Sequence, residues 1–203
     1  MKPHLRLVVL AAAAIKRRHK RVDYLASEFR ILLDRNPDLP AWLVVAGGWE
    51  SETEQVIAEA KHLLGDKVRF LVRFPRTRMA DLYRAADVFT LGSLKEMMPI
   101  ALLEALASGL PCVVNQHPVM QWMIGPGGTA ADLSCPGGWA DAVTPLLRDR
   151  RRRDEVGMRA RAHSVQDFSR DRVVDRILDY YDFVLHHDNT TRNGRGFEAG
   201  AAA

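Results

Sequence analysis

Short apolar runs alternate with segments of helical character along most of this chain of 203 residues. The runs Leu5–Ala12, Trp42–Ala46 and Val68–Val72 have the length and composition of buried strands. Between them, Val22–Leu33 carries apolar residues at a helical period, and Glu54–Leu64 is predicted as a second helix. Because strands that alternate with helices at this spacing form parallel sheets, the sequence predicts an α/β fold with a doubly wound parallel sheet.

The second half of the chain continues this alternation and then becomes helical. The further predicted strands are Val88–Leu91, Cys112–Asn115 and Ala130–Leu133, and the further predicted helices are Met79–Ala85, Met120–Ile124, Trp139–Arg148, Asp154–Ala162 and Arg172–Leu185. The chain has the length of one α/β domain, so residues 1–185 are predicted to form a single domain. Residues 186–203 are polar and then rich in Gly and Ala, a composition that predicts a disordered tail.

Two carboxylates, Glu96 and Glu104, flank the predicted start of a helix between the strand ending at Leu91 and the strand beginning at Cys112. Pro99 suits the first helical position, where its missing N–H is not needed. The helix is apolar on nearly every side, which predicts that it is buried and that Glu104 needs a polar partner. Free N–H groups and the positive end of the helix dipole make the helix start a candidate anion site.

The spacing of these carboxylates supports two interpretations. A ligand with a phosphate and hydroxyl-bearing groups on both sides, such as a nucleotide sugar, would satisfy both. Alternatively, Glu104 pairs with a nearby arginine and Glu96 is solvated at the surface. From the spacing alone, both interpretations stay open.

Four loops follow the carboxyl ends of predicted strands, where open α/β sheets bind ligands. These loops are Lys16–Lys20, Gly47-Gly48, Arg73–Arg78 and Gly92–Met98. Two of them carry cations and one leads into the helix start, as an anionic diphosphate would require. Arg73 is a candidate contact for a nucleotide base, with a surface ion pair as the alternative.

The segment from Ser93 to Pro111, which contains Glu96 and Glu104, resembles the E-x7-E signature of retaining glycosyltransferases with the GT-B fold. Tyr83–Val88 is similar to the strand that precedes this signature, and the resemblance extends over roughly residues 5–185. It implies the Rossmann-like, donor-binding C-terminal half of a GT-B fold with C-terminal helices. One departure is that Met97, Met98 and Pro99 stand where the family usually has Gly-Phe-Gly.

The resemblance also implies roles for single residues. The family's first glutamate contacts the transferred sugar, which implies Glu96 as the catalytic residue, and its second contacts the ribose hydroxyls, which implies Glu104 as a donor-binding residue. Backbone amides between the two hold phosphate or sugar oxygens, which implies Met98, Pro99 and Ile100.

A cationic part of the site is implied by Lys20–Asp23, which is similar to the family's Lys-Gly-Val-Asp. The family's lysine holds the donor diphosphate, and Lys20 occupies that position. The family also has an arginine five or six residues earlier, where this chain has Ala14 or Ile15, so Arg17 is the candidate substitute.

By resemblance, the chain is expected to be the donor domain of a hexosyltransferase that uses a UDP or GDP sugar, with no cofactor and no metal. Turnover is expected to need an acceptor-binding domain or partner chain. A non-catalytic GT-B-like binding or scaffolding domain is the alternative, favoured by the departure at Met97–Pro99 and the missing arginine. The clusters Lys16–Arg21 and Arg150–Arg153 lack interleaved aromatic residues, so no nucleic-acid partner is expected.

Composition limits the remaining possibilities. The only two cysteines, Cys112 and Cys135, form no metal-ligand pattern, which favours a reducing cytoplasm and predicts Cys112 as a core residue. No apolar run approaches the roughly 20 residues of a membrane span, so no integral membrane segment is expected. The block Arg150–Arg153 is predicted to lie on the exposed face of a helix.

Overall fold

A single parallel sheet of six strands organises the computed structural model, which describes residues 6–193. The strands are β1 Leu7–Ala12, β2 Ala41–Gly47, β3 Val68–Val72, β4 Val88–Thr90, β5 Cys112–Asn115 and β6 Gly128–Ala131. They lie in the order β3-β2-β1-β4-β5-β6, and every neighbouring pair is parallel. The doubly wound parallel sheet predicted from the sequence is confirmed.

Helices cover the two faces of this sheet. They are α1 Val22–Arg35, α2 Thr53–Leu64, α3 Met79–Ala85, α4 Ile100–Ala107, α5 Pro118–Ile124, α6 Gly138–Arg148, α7 Arg150–Phe168 and α8 Arg170–Asn193. Helices α1, α2 and α6 share one core with alternate residues of the strands, while α4 contacts both α3 and α5 in the other layer. The described residues divide into two compact units between Val165 and Gln166.

The core under α1 and α6 contains a buried hydrogen-bond chain. The indole Nε1 of Trp139 donates to Oγ1 of Thr90 over 2.7 Å, and the Thr90 hydroxyl donates to the carbonyl of Val113 over 2.9 Å. Trp139 also packs against the ring of Phe29, and both aromatic side chains are fully buried. Because the polar atoms of Trp139 and Thr90 are paired, they add no desolvation penalty to this apolar layer.

The strand order reverses between β1 and β4, which creates a switch point at the carboxyl ends of these strands. The loops that follow β1 and β4 meet there. A Cβ atom on Gly92 would lie only 2.8 Å from the carbonyl oxygen of Arg21 and 2.9 Å from that of Lys20. The close approach of the two loops therefore requires glycine at position 92.

The arginine block at the start of α7 follows its prediction at Arg150, Arg151 and Arg152, which are exposed, and departs from it at Arg153. Arg153 is buried, and its Nη1 donates to the carbonyl of Leu146 over 2.9 Å while its Nε lies 3.6 Å from Oδ1 of Asp87. Asp87 also accepts from the backbone N–H of Val8 over 2.8 Å. Arg153 thus ties the end of α6 to the sheet instead of decorating an exposed face.

The second unit consists of the end of α7 and helix α8, which continues to Asn193 and so enters the segment predicted to be a disordered tail. Residues 194–203 of that predicted tail lie outside the described residues. Within this unit, Nη2 of Arg176 pairs with Oδ1 of Asp167 over 2.9 Å. No helix among the described residues is both long enough and apolar enough to cross a lipid bilayer.

Candidate functional site

A cleft of about 350 Å³ opens at the carboxyl end of the sheet, beside α3 and α4. It is lined by the ends of β1 and β2 (Ala12, Ala13, Ala46, Gly47, Gly48), by the loop after β3 (Arg73, Phe74, Arg76), and by residues of α3 and α4 (Met79, Tyr83, Ile100, Ala101, Glu104). The structure therefore brings three of the predicted site residues, Arg73, Ile100 and Glu104, to one concave surface.

Two consecutive glycines form one wall of this cleft and have different environments. A Cβ atom on Gly47 would lie 1.7 Å from the carbonyl oxygen of Ala13, whereas a Cβ atom on Gly48 would meet no atom within 4 Å. The ends of β1 and β2 therefore approach each other closely enough to exclude any side chain at position 47. Position 48, in contrast, faces open space.

Glu104 is partly exposed, and its two oxygens have different partners. The buried hydroxyl of Tyr83 donates to Oε2 over 2.8 Å, and Nη2 of the exposed Arg76 lies 3.4 Å from Oε1. Burial, reinforced by the bond to Glu104, raises the pKa of Tyr83 well above its ordinary value, so the hydroxyl stays a donor. Helix α4 is less buried than its composition predicted, because Ile100 is exposed and Glu104 faces the cleft.

Glu96 lies in the loop between β4 and α4 and is only 9% exposed. Its Oε1 accepts from Nζ of Lys20 over 2.5 Å and from the hydroxyl of Ser93 over 2.7 Å. Its Oε2 lies 3.9 Å from Nε2 of His19. The alternative in which Glu96 is solvated at the surface is therefore wrong, while the arginine partner expected for Glu104 is present as Arg76.

Three residues in the loops after β1 and β3 adopt left-handed backbone conformations without being glycine. These are His19 (φ 71°), Arg21 (φ 49°) and Arg73 (φ 54°). Such conformations are uncommon for residues with a side chain, and tertiary contacts must hold them. Arg21 is held by a 2.9 Å bond from its Nη1 to the carbonyl of Leu133 and by stacking of its guanidinium 3.9 Å over the ring of Tyr24.

Arg17 is not brought together with Lys20 and Glu96. Its Nη2 pairs with Glu59 of α2 over 2.6 Å, and its backbone N–H donates to Oε2 of Glu52 over 2.8 Å. Hence the proposed substitute for the missing arginine is directed toward α2 in this structure.

The start of α4 differs from the prediction by one position. Pro99 is the N-cap, with φ −71° and ψ 108°, so the helix begins at Ile100 and not at Pro99. No side chain of the described residues caps this helix start, and although the N–H of Leu102 donates to the carbonyl of Pro99 over 3.0 Å, the N–H groups of Ile100 and Ala101 can face an anion. Met98 and Ile100 are 54% and 58% exposed, so both residues are accessible from solvent.

Trp49, which directly follows the glycine pair at the end of β2, was not among the predicted site residues. The indole is 44% exposed, and the guanidinium of Arg73 lies 5.9 Å from the centre of its ring. A large aromatic residue next to a strand-end Gly-Gly pair was the available signal. Among the described residues, no group of three or more His, Cys, Asp or Glu side chains is arranged to hold a metal ion.

Comparisons with known proteins agree with this geometry. A family model described as Glycosyl transferases group 1 matches residues 2–163. The D-inositol 3-phosphate glycosyltransferase of Nocardia farcinica is 30% identical over 184 residues, which are 87% of this chain and 41% of that protein. The chain therefore spans less than half the length of this relative.

Solved structures show the same fold. The sucrose-phosphate synthase of Thermosynechococcus elongatus is similar with a TM-score of 0.77 at 20% identity, over 89% of this chain and 46% of that one. The C-terminal domain of a glycosyl transferase group 1 family protein from Francisella tularensis is similar with a TM-score of 0.71 at 17% identity, over 81% of this chain and 87% of that one. This second match aligns nearly all of a C-terminal domain with the chain.

Proposed function

This chain belongs to the group 1 family of glycosyl transferases, and we propose that its cleft binds the nucleotide-diphosphate sugar donor for a retaining hexosyl transfer. The observation that carries the proposal is that both candidate carboxylates lie at the carboxyl end of the sheet, one in the cleft and one at the switch point. Open α/β sheets bind nucleotides at this position.

Each part of such a donor has a matching group. Glu104 offers a carboxylate to the ribose hydroxyls, and the left-handed loop residue Arg73 stands beside Trp49 as a candidate platform for the base. The uncapped start of α4 and the ammonium of Lys20 offer positive charge to the diphosphate. Met98, Pro99 and Ile100 supply the backbone between the two carboxylates, although Pro99 has no N–H to donate.

The chemical contribution of these groups would be to stabilise the leaving diphosphate as negative charge develops on it. Preorganised donors act in this way because they need no rearrangement when the bond to the sugar breaks. Lys20 bonds to Glu96, so on donor binding this ammonium would divide its bonds between the carboxylate and a phosphate. We propose that this exchange exposes Glu96 to the sugar.

Acceptor binding and turnover are proposed to need a further domain or partner chain. The relative from Nocardia is more than twice as long as the segment that this chain matches, and the match to the Francisella protein is to a C-terminal domain. We therefore expect donor binding by this chain alone.

The test is calorimetric titration of the chain with UDP, GDP and ADP, followed by sugar nucleotides of whichever base binds. We expect saturable binding of one diphosphate, weakened at least about tenfold by Lys20→Ala and by Glu104→Ala, since each removes a charged hydrogen-bonding group. Glu54→Ala, which removes an exposed carboxylate from α2, is the matched control and should bind like the wild type. Equal affinities for all four proteins would exclude this site.

A non-catalytic binding or scaffolding role is the second candidate. The observation that favours it is that both candidate substitutes for the missing arginine pair with other carboxylates. Arg17 pairs with Glu59, and Nζ of Lys16 lies 3.4 Å from Oε1 of Glu50, so neither replaces the missing arginine. Absence of binding to any of the three diphosphates by the folded chain would select this role.

A further inference from the structure

The two oxygens of Glu104 contact partners of very different burial. Tyr83, which bonds to Oε2, is 1% exposed, and its ring packs against that of Phe89 with centroids 6.0 Å apart. Arg76, which approaches Oε1, has a side chain that is 81% exposed and lies at the longer distance of 3.4 Å. The tyrosine hydroxyl is therefore held by a buried ring, whereas the guanidinium lies at the surface in contact with water.

This difference determines which oxygen is available to a ligand. The terminal torsion of a glutamate is broad, so an unrestrained carboxylate samples many orientations. A bond from a buried hydroxyl to Oε2 restricts that torsion and leaves Oε1 as the oxygen that can accept from a bound molecule. The exposed Arg76 can leave Oε1 at little cost, because exposed ion pairs contribute little free energy.

We propose that Tyr83 is a positioning residue that orients Glu104 so that the cleft distinguishes ribonucleotides from nucleotides lacking ribose hydroxyls. The inference rests on the proposed function, because it assumes that Glu104 accepts from the ribose. Tyr83 itself lines the base of the cleft from α3, and its effect on the ligand passes through the carboxylate. The consequence is a selectivity for the sugar of the nucleotide that depends on a residue of the buried core.

The substitution Tyr83→Phe tests this role, because it removes only the hydroxyl oxygen and keeps the ring that packs against Phe89. The chain and the variant are each titrated with the diphosphate that the wild type binds and with its 2′,3′-dideoxy form. We expect the wild type to bind the ribonucleotide about tenfold more tightly, as two hydroxyls bonded to a carboxylate would give. In Tyr83→Phe this ratio should fall to about threefold or less, mainly through weaker ribonucleotide binding.

The ratio of the two dissociation constants is the readout because a partly unfolded variant loses apparent affinity for both ligands equally. Tyr24→Phe is the matched control. Its buried hydroxyl has no hydrogen-bond partner within the described part of the chain, and it should keep the wild-type ratio. A Tyr83→Phe protein that weakens both ligands by the same factor has lost only stability, and this result would overturn the inference.

Arg76→Ala gives a second test in a variant whose altered side chain is exposed. If Tyr83 orients Glu104, removing Arg76 should keep the wild-type ratio or increase it, since Oε1 loses a competitor. A ratio that collapses in Arg76→Ala would assign the orienting role to the arginine and overturn the proposal. A wild-type chain that binds no diphosphate at all would instead reject the proposed function, so the two failures are distinguishable.

Discussion

The ammonium of Lys20 lies 2.5 Å from Oε1 of Glu96, so a direct ion pair joins the loop after β1 to the loop after β4 across the switch point. Both side chains are largely removed from water, with 22% and 9% of their surfaces exposed. Ser93 donates to the same carboxylate oxygen. Because Glu96 is largely removed from water, these hydrogen bonds replace part of the hydration that its carboxylate has lost.

This ion pair should contribute to folding as well as to ligand binding. We expect Lys20→Met to lower the free energy of unfolding by about 1–3 kcal/mol, since it leaves a buried carboxylate with one partner fewer. In a Glu96→Gln background the same substitution should cost less, because no buried charge is left unpaired. Urea denaturation of the four proteins gives the coupling energy. An equal cost of Lys20→Met in both backgrounds would contradict the pairing.

The glycine pair at the end of β2 offers two adjacent substitutions with opposite expectations. Gly47→Ala should destabilise the chain by about 1–3 kcal/mol, because its Cβ would collide with the carbonyl of Ala13 and force β1 and β2 apart. Gly48→Ala, one residue later, should change stability by less than about 0.5 kcal/mol, since nothing lies within 4 Å of its Cβ. Thermal and urea unfolding of both variants would test this, and similar losses at the two positions would refute it.

A buried carboxylate supports the start of α6. Glu28 of α1 is 1% exposed, and its two oxygens accept from the backbone N–H groups of Gly137 over 2.7 Å and Ala140 over 3.2 Å. Glu28→Gln would set an amide NH₂ against one of these donors, so we expect a loss of about 1–3 kcal/mol.

Glu54→Gln, at an exposed position of α2, is the matched control for this loss and should leave the urea midpoint nearly unchanged. The surviving folded fraction of Glu28→Gln should keep the nucleotide affinity of the wild type, because Glu28 does not line the cleft. Wild-type stability in Glu28→Gln would show that the two bonds contribute nothing.

Alkaline pH should weaken the fold partly through Tyr83. Burial and the bond to Glu104 raise its pKa, whereas an unfolded tyrosine ionises near pH 10. The contribution of the protonated Tyr83 hydroxyl to the free energy of unfolding is therefore complete below about pH 10. It is lost as the pH rises above this value, because the unfolded chain releases a proton that the folded chain retains.

Above pH 10 the free energy of unfolding of Tyr83→Phe should accordingly fall less steeply than that of the wild type. The two slopes should differ by up to about 1.4 kcal/mol per pH unit, the value for one proton. Burial also raises the pKa of Tyr24 and of the Cys112 thiol, so part of the alkaline loss should persist in the variant. Urea unfolding at pH 9, 10 and 11 measures both slopes. Parallel slopes for wild type and variant would show that Tyr83 ionises in the folded chain.

The sequence predicted the strands well where apolar runs are bounded by residues that stop them. Val68–Val72 and Cys112–Asn115 have the predicted bounds, since polar residues or Gly and Pro flank each run. The last strand is Gly128–Ala131 and not Ala130–Leu133, because it begins within a Gly-rich segment that carries no strand pattern. Helix α7 begins earlier than predicted, because its first turn is a run of arginines without apolar periodicity.

The site was also predictable only in part, because local sequence patterns do not show which distant loops and helices come into contact. Strand-end position was sufficient to predict that Arg73 lies at the ligand-binding edge, whereas Glu104, inside α4, was predicted from the resemblance of Ser93–Pro111 to a family signature. The pairing of Lys20 with Glu96 depends on the distance between the loops after β1 and β4, which no local pattern encodes. Tyr83 was noted only as part of Tyr83–Val88, the segment similar to the strand that precedes the signature. Its bond to Glu104 depends on the packing of α3 against α4, which the sequence pattern does not show. Ligand binding by the predicted residues stays a prediction.

The strand order also has a consequence for synthesis on the ribosome. β1 pairs with β2 on one edge and with β4 on the other, and β4 is made only after β2, α2, β3 and α3. During translation the nascent chain can assemble β1, β2 and β3, yet the other edge of β1 stays unpaired until β4 emerges. We expect synonymous codons that slow elongation between positions 73 and 87 to prolong exposure of this edge. Chaperone dependence in vivo should then rise without any change in the protein itself.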